Sequence, residues 1–223
     1  MEHEHIVGRF DKDLQKIKDR ILEMGQQVGV QLQDAGALLD TFDAGKAEAL
    51  IAGDRRINGM HKDIHTRAER LIALRQPMAL DLRHALSPIN IAGELERIGD
   101  HAKSTAKKAR TLQGMQPDAE VKAMIRKMQG DVEEMLAAVL DAYNAEDIQK
   151  AAEIRQRDLE IDALNREVFA AAMAAITRDP AQAEAQVHLI ILARATERVG
   201  DHVVNITRHV HQIVTGEDLK ASE

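Results

Sequence analysis

The chain has 223 residues, a formal charge of −7 and no cysteine. The acidity argues against a general nucleic-acid role, and the missing thiols exclude a disulfide framework, a thiolate metal site and a cysteine nucleophile. Aromatic residues make up only 2 %, against 44 % hydrophobic and 30 % charged residues, so the core must be built from Ala, Leu, Ile and Met between helix-favouring polar residues, and the fold class is all-α.

In chain order the first element is a long helix. Phe10, Leu14, Ile17, Ile21, Met24, Val28, Ala35, Leu38 and Phe42 fall on alternating four- and three-residue steps, with Gln31 in the one gap. That is a heptad seam. Asp43-Ala-Gly45 breaks it. A second helix is expected over Lys46 to Leu74, stopped by Arg75-Gln-Pro77 because the residue before a proline resists αR geometry. A third runs on to about Leu112, with Pro88 as either a kink or its true start. Gln113 to Asp118 is the strongest linker signal. A fourth helix (Asp118 to Tyr143), a fifth (Asp147 to Thr177, stopped by Arg178-Asp-Pro180) and a sixth (to Thr215-Gly216) repeat the scheme. The expected architecture is two tandem three-helix bundles, residues 1–113 and 114–223.

The repeat is also written in residues. Glu96-Arg-Ile-Gly-Asp-His101 recurs as Glu197-Arg-Val-Gly-Asp-His202, and Asp54-Arg-Arg-Ile-Asn58 has a counterpart in Asp158-Leu-Glu-Ile-Asp162. Residues four apart share a helix face. If helices two and three fold back at Pro77, Asp54 meets Asp100 and Asn58 meets Glu96, roughly 30 Å from the turn at about 1.5 Å per residue. Folding back at Asp179-Pro180 pairs Asp158 with Asp201 and Asp162 with Glu197 in the same way. On the helical wheel these acids continue the stripes Leu82/Leu86/Ile89, Ala183/Val187/Ile190 and Phe169/Met173/Ile176, which predicts that they face a neighbouring helix.

Clustered carboxylates at a low-dielectric surface need protons, basic partners or a cation. Oxygen ligands on two antiparallel helices suit Mg, Mn or Fe; Arg55, Arg97, Arg157, Arg194 and Arg198 offer ion pairing instead. The doubled hairpin geometry favours metal, more strongly in the second half, where all four residues are acidic. His101 and His202 point about 100° away from their neighbouring Asp and are expected to be structural or surface residues. Lys103/Lys107/Lys108/Arg110 reads as a solvated helix end, Gly99 and Gly200 as close-approach points, and the Met residues as core filler. His3 and His5 in the polar N-terminus carry no site. No signal-peptide pattern and no apolar run near the ~20 residues of a membrane span is present.

The segments RQPMALDLRHALSPINIAGELERIGDHA, GDRRIN, RDLEID and ARATERVGDHVVNI resemble the PhoU family of phosphate-transport regulators. The resemblance implies two three-helix bundles and ions of iron, zinc, magnesium or manganese on Asp158, Asp162, Glu197, Asp201, Glu96, Asp100 and Asp54, with Asn58 departing from the acidic pattern. It implies a non-enzymatic, cytoplasmic negative regulator of phosphate uptake and starvation signalling. Its expected partners are the nucleotide-binding subunit of a phosphate ABC transporter, a membrane sensor histidine kinase and a second copy of itself. The rival readings are a metal-storing or di-iron carboxylate bundle and a spectrin-like structural module. Di-iron proteins use Glu-x-x-His pairs within the bundle, and the one such pair here is Glu2/His5.

Overall fold

The computed structural model describes residues 2–217, with side chains from residue 8 onward; the side chains of His3 and His5 lie outside the described residues. Among the described residues are six α-helices: α1 (Glu2–Asp40), α2 (Ala44–Arg75), α3 (Ala79–Thr111), α4 (Ala119–Ala145), α5 (Ile148–Arg178) and α6 (Ala183–Thr215). One 3-10 turn, Pro180–Gln182, joins α5 to α6.

Aspartates start three of the helices. The carboxylate of Asp43 accepts from the Lys46 amide, that of Asp118 from Glu120 and Val121, and that of Asp147 from Gln149 and Lys150. Each satisfies orphan N–H groups and places negative charge at the positive end of the helix dipole. This cap lets α2 begin at Ala44, before the expected start, with Gly45 inside its first turn. Asp179 does the same for the 3-10 turn by accepting from the Ala181 amide. At the C-terminal ends Gln76, Glu146 and Gly216 adopt left-handed backbone, with φ of 47°, 55° and 77°. Pro88 neither starts nor interrupts α3; it is buried within the continuous helix, and the Ser87 hydroxyl beside it donates to the Arg83 carbonyl.

The heptad seam of α1 is buried as its spacing predicts: Ile17, Ile21, Met24, Val28, Ala35 and Leu38 are all nearly inaccessible. α1, α2 and α3 pack together, as do α4, α5 and α6. The two bundles join through α1 against α4 and α3 against α6. Numbering rises along α1 as it falls along α4: Gly25 lies at Leu140, Gly29 at Leu136 and Gly36 at Gln129 and Arg126. A Cβ on Gly25 would stand 2.5 Å from both Leu140 methyls, so the missing side chain lets the helices close. α3 and α6 are also antiparallel. His101 meets His202 with ring centroids 5.6 Å apart, and Glu94 bonds His202 Nδ1 at 2.7 Å and Asn205 Nδ2 at 3.3 Å. The buried apolar residues therefore form one continuous core through both repeats. Among the described residues no helix is long and apolar enough to cross a membrane.

Candidate metal centre

In the second repeat the α5–α6 hairpin brings Asp158 level with Gly200 and Asp201. A Cβ at Gly200 would stand 2.5 Å from Asp158 Oδ1, so the carboxylate occupies the space that glycine leaves open. Burial and then the charges of Asp162, Asp201 and Glu197 push the Asp158 carboxyl up to about 6. Burial, Asp201 and Asp162 likewise raise Glu197, against the opposing charges of Arg194 and Arg198. Glu197 is 7 % exposed. Its Oε1 accepts from Arg194, while its Oε2 is buried with no hydrogen-bond partner. The four acids expected to meet do share one electrostatic neighbourhood.

The first repeat solves the same problem with a lysine. Asp54, 4 % exposed, accepts from Lys103 Nζ at 2.7 Å and Asn58 Nδ2 at 3.3 Å. Lys103 also reaches Asp100 at 3.4 Å, so Asp54 and Asp100 converge on one ammonium group. Asp54 Oδ1 remains buried without a partner. Asn58 spends its amide on Asp54, and Glu96 has no side-chain partner among the described residues. Lys103, which the solvated-end reading overlooked, is the counter-ion here. Of the arginines considered, Arg194 pairs within the site; Arg157 instead pairs with Glu134 at 2.8 Å.

The donor chemistry of the second cluster fits a hard cation: oxygen atoms only, an orphaned buried carboxylate oxygen, and mutually repelling acids. The first cluster fits less well, since an ammonium already stands between Asp54 and Asp100. Among the described residues, no three His, Asp or Glu side chains close around a common point as an ion cage would.

Two expectations need correction. The apolar stripes on the acid faces meet a neighbouring helix only in part: Ile89 and Ile190 pack against the core, whereas Leu86, Phe169, Met173 and Val187 are 43–53 % exposed. α5 turns Ile154, Ile161, Val168 and Ala172 to the core instead, which leaves its own acids, Asp158 and Asp162, half-buried at the edge of that face. Met78 and Met173 are exposed, so the core-filler reading holds for Met24, Met60, Met128 and Met135 but not for these two. His101 and His202 are structural, as expected, though they join the repeats to each other. Burial, reinforced by His202 and Arg198, lowers the His101 ring to about 4.

The PhoU domain family model matches residues 21–109 and again 125–210. A phosphate-specific transport system accessory protein PhoU homolog of Caulobacter vibrioides is 37 % identical over 216 residues, spanning 97 % of this chain and 94 % of that protein. Its counterpart in Rhizobium meliloti is 34 % identical over 223 residues, covering 97 % and 91 %. The crystal structure of PhoU from Pseudomonas aeruginosa superposes with a TM-score of 0.88 at 31 % identity, covering 93 % of this chain and 100 % of that one. That of the phosphate transport regulator PhoU from Streptococcus pneumoniae gives 0.86 at 28 % identity, with 95 % and 100 % covered. Repeat, fold and relatives agree: the chain belongs to the PhoU family.

Proposed function

We propose that the protein is the accessory regulator of a phosphate-specific transport system, acting from the cytoplasmic side as a negative regulator of uptake and starvation signalling. It works as an adaptor and not as an enzyme, touching the transporter's nucleotide-binding subunit and a membrane sensor histidine kinase. Full-length similarity to proteins named as accessory to that system supports the transport role. The exposed stripe of Phe169, Met173 and Val187 offers an apolar surface to a second copy or a partner.

A divalent or trivalent ion (Mg, Mn, Fe or Zn) belongs to this reading. Asp158, Asp162, Glu197 and Asp201 would hold it, with Asp54, Glu96 and Asp100 forming a weaker site beside Asn58. The observation that carries this is the buried, unpartnered Glu197 Oε2 among three further acids. A bound cation would neutralise the cluster and fix α5 against α6, giving the partner-facing surface a metal-dependent shape.

The test compares metal content of the wild type with Glu197→Ala/Asp201→Ala, alongside pull-down of the transporter subunit and the kinase. The variant should lose metal first from the second repeat and weaken partner capture. Unchanged metal with intact capture removes the cluster from the mechanism, and iron-dependent O₂ consumption would restore the di-iron reading.

A further inference from the structure

The seam where α3 crosses α6 opens into a groove of about 840 Å³, bordered on its acidic side by Asp100, Asp158 and Asp201. His101 and His202 are in contact within its lining, which repeats across that contact: Arg97 and Arg198 are equivalent positions of the duplicated motif, as are Lys107 and Arg208. Because the helices run antiparallel, Arg97 of α3 lies near the level of Arg208 of α6, and Lys107 near that of Arg198. Each end of the groove thus carries two cations. The ten residues from Arg97 to Lys107 place the two pairs about 15 Å apart along the helix. Ser104 adds a neutral hydroxyl, while Asn205 at the equivalent position is held by Glu94 and accepts from the Arg208 guanidinium.

Some arginines outside the groove meet carboxylates, as Arg126 meets Asp40, Arg157 meets Glu134 and Arg178 meets Asp118. Arg97, Lys107 and Arg198 have no carboxylate within ion-pair distance among the described residues. Of the acids that line the groove, Asp100 is already engaged by Lys103, which leaves Asp158 and Asp201 facing Arg97, Lys107, Arg198 and Arg208. Crowded, unpaired guanidinium groups on facing helices repel one another and are relieved by a shared anion.

The lining also narrows the class of anion. Val204 is its only apolar member and no Phe, Tyr or Trp is present, so it lacks the anchors that a bound helix or peptide uses and the platforms on which bases stack. Guanidinium forks match tetrahedral oxyanions in bidentate fashion. We infer that the α3–α6 groove is a binding site for a small, multiply charged oxyanion of the condensed-phosphate type, held at its two ends by Arg97/Arg208 and Lys107/Arg198. The site would use no metal, and it borders the carboxylate centre, with which it shares Asp158 and Asp201.

The probe is inorganic tripolyphosphate, titrated calorimetrically into the full chain after EDTA treatment. Saturable, salt-sensitive binding is expected. Arg97→Ala/Arg198→Ala should weaken it about tenfold or more, Arg97→Lys/Arg198→Lys should recover part of the loss, and Lys12→Ala/Lys62→Ala, on exposed positions outside the groove, should leave it unchanged. Circular dichroism confirms that each variant is folded. Equal affinity in wild type and Arg97→Ala/Arg198→Ala overturns the proposal. So does binding that appears only with added Mg²⁺, which would place the anion on a metal at the acidic cluster. An acidic peptide or oligonucleotide that binds more tightly, with the same dependence on Arg97 and Arg198, overturns the small-anion assignment.

Discussion

Asp158 Oδ1 stands where a side chain on Gly200 would begin, 2.5 Å from the position of its Cβ. At the equivalent Gly99 the nearest atom is Ile57 Cγ2, 3.4 Å from the Cβ position. Two glycines of one duplicated motif therefore answer different needs, and the same substitution should act in opposite directions. Gly99→Ala gains helix propensity without a clash and should stabilise the fold by up to about 1 kcal/mol. Gly200→Ala must displace a short, half-buried carboxylate, so it should be at least about 1 kcal/mol less stable than Gly99→Ala and should lose metal affinity. Urea denaturation of the two variants side by side measures the difference; equal stabilisation would mean that Asp158 is free to move.

The acidic centre predicts a pH dependence. Asp158 is raised from 3.8 to about 6 by burial and its acidic neighbours. Its contribution to stability is thus fully present below about pH 4 and is lost as pH rises through 6, where the folded state must ionise it. In metal-free protein, Asp158→Asn should raise Tm at pH 7 while leaving it almost unchanged at pH 4. Thermal melts of the pair across that range provide the check, and a difference independent of pH contradicts the assignment. Added divalent metal should reverse the neutral-pH ranking, since the wild type alone keeps the full donor set.

Lys103 makes a separate case in the first repeat. Removing it leaves Asp54 charged and buried beside an already unpartnered oxygen. Lys103→Ala should cost about 1–3 kcal/mol, below the value for a fully buried pair because the lysine is partly solvated. Asp54→Asn/Lys103→Met should restore most of that loss in a double-mutant cycle. Manganese should stabilise Lys103→Ala more than the wild type, because the ammonium would then no longer stand between Asp54 and Asp100. A Tm gain equal in both proteins would show that the lysine does not compete with a cation.

Glu94 links the repeats, and its prediction runs in the acid direction. Burial alone would raise its carboxyl, but hydrogen bonds from His202 and Asn205 and the charge of His202 prevail, and the net shift is downward. A depressed carboxyl stabilises the fold above its unfolded value and loses that contribution as pH falls through the folded one. Glu94→Gln should therefore be less stable than the wild type at pH 7 and converge with it near pH 3. Denaturation midpoints at both pH values measure this. A constant gap would show that Glu94 acts through packing and not through charge.

What could be deduced from residues alone follows a physical boundary. Short connections and rigid helices carry register over long distances, so counting outward from Pro77 and Pro180 was enough to bring Asp54 toward Asp100 and Asp158 toward Asp201. The heptad of α1 survives in the structure because a long, uninterrupted apolar seam overrides local detail. The reach of Lys103 to Asp54 was hidden, since a flexible side chain can serve either solvent or a buried acid and spacing does not choose between them. The meeting of His101 with His202 was equally invisible. It depends on how two bundles pack, which no periodicity within one bundle encodes. The wheel also misassigned Phe169 and Met173, because an outer helix can carry apolar residues on two sides and only one side is needed for the core.

The glycines that bring α1 onto α4, with the single core beyond them, have a consequence for ancestry and assembly. A polypeptide carrying only one repeat would leave the α1 and α3 faces uncovered, and the twofold relation through His101 and His202 is the one by which two such chains would cover each other. The short span from α3 to α4 keeps that pairing permanent and independent of concentration. It also frees the two copies to diverge, so that one could keep four acids while its twin recruited a lysine.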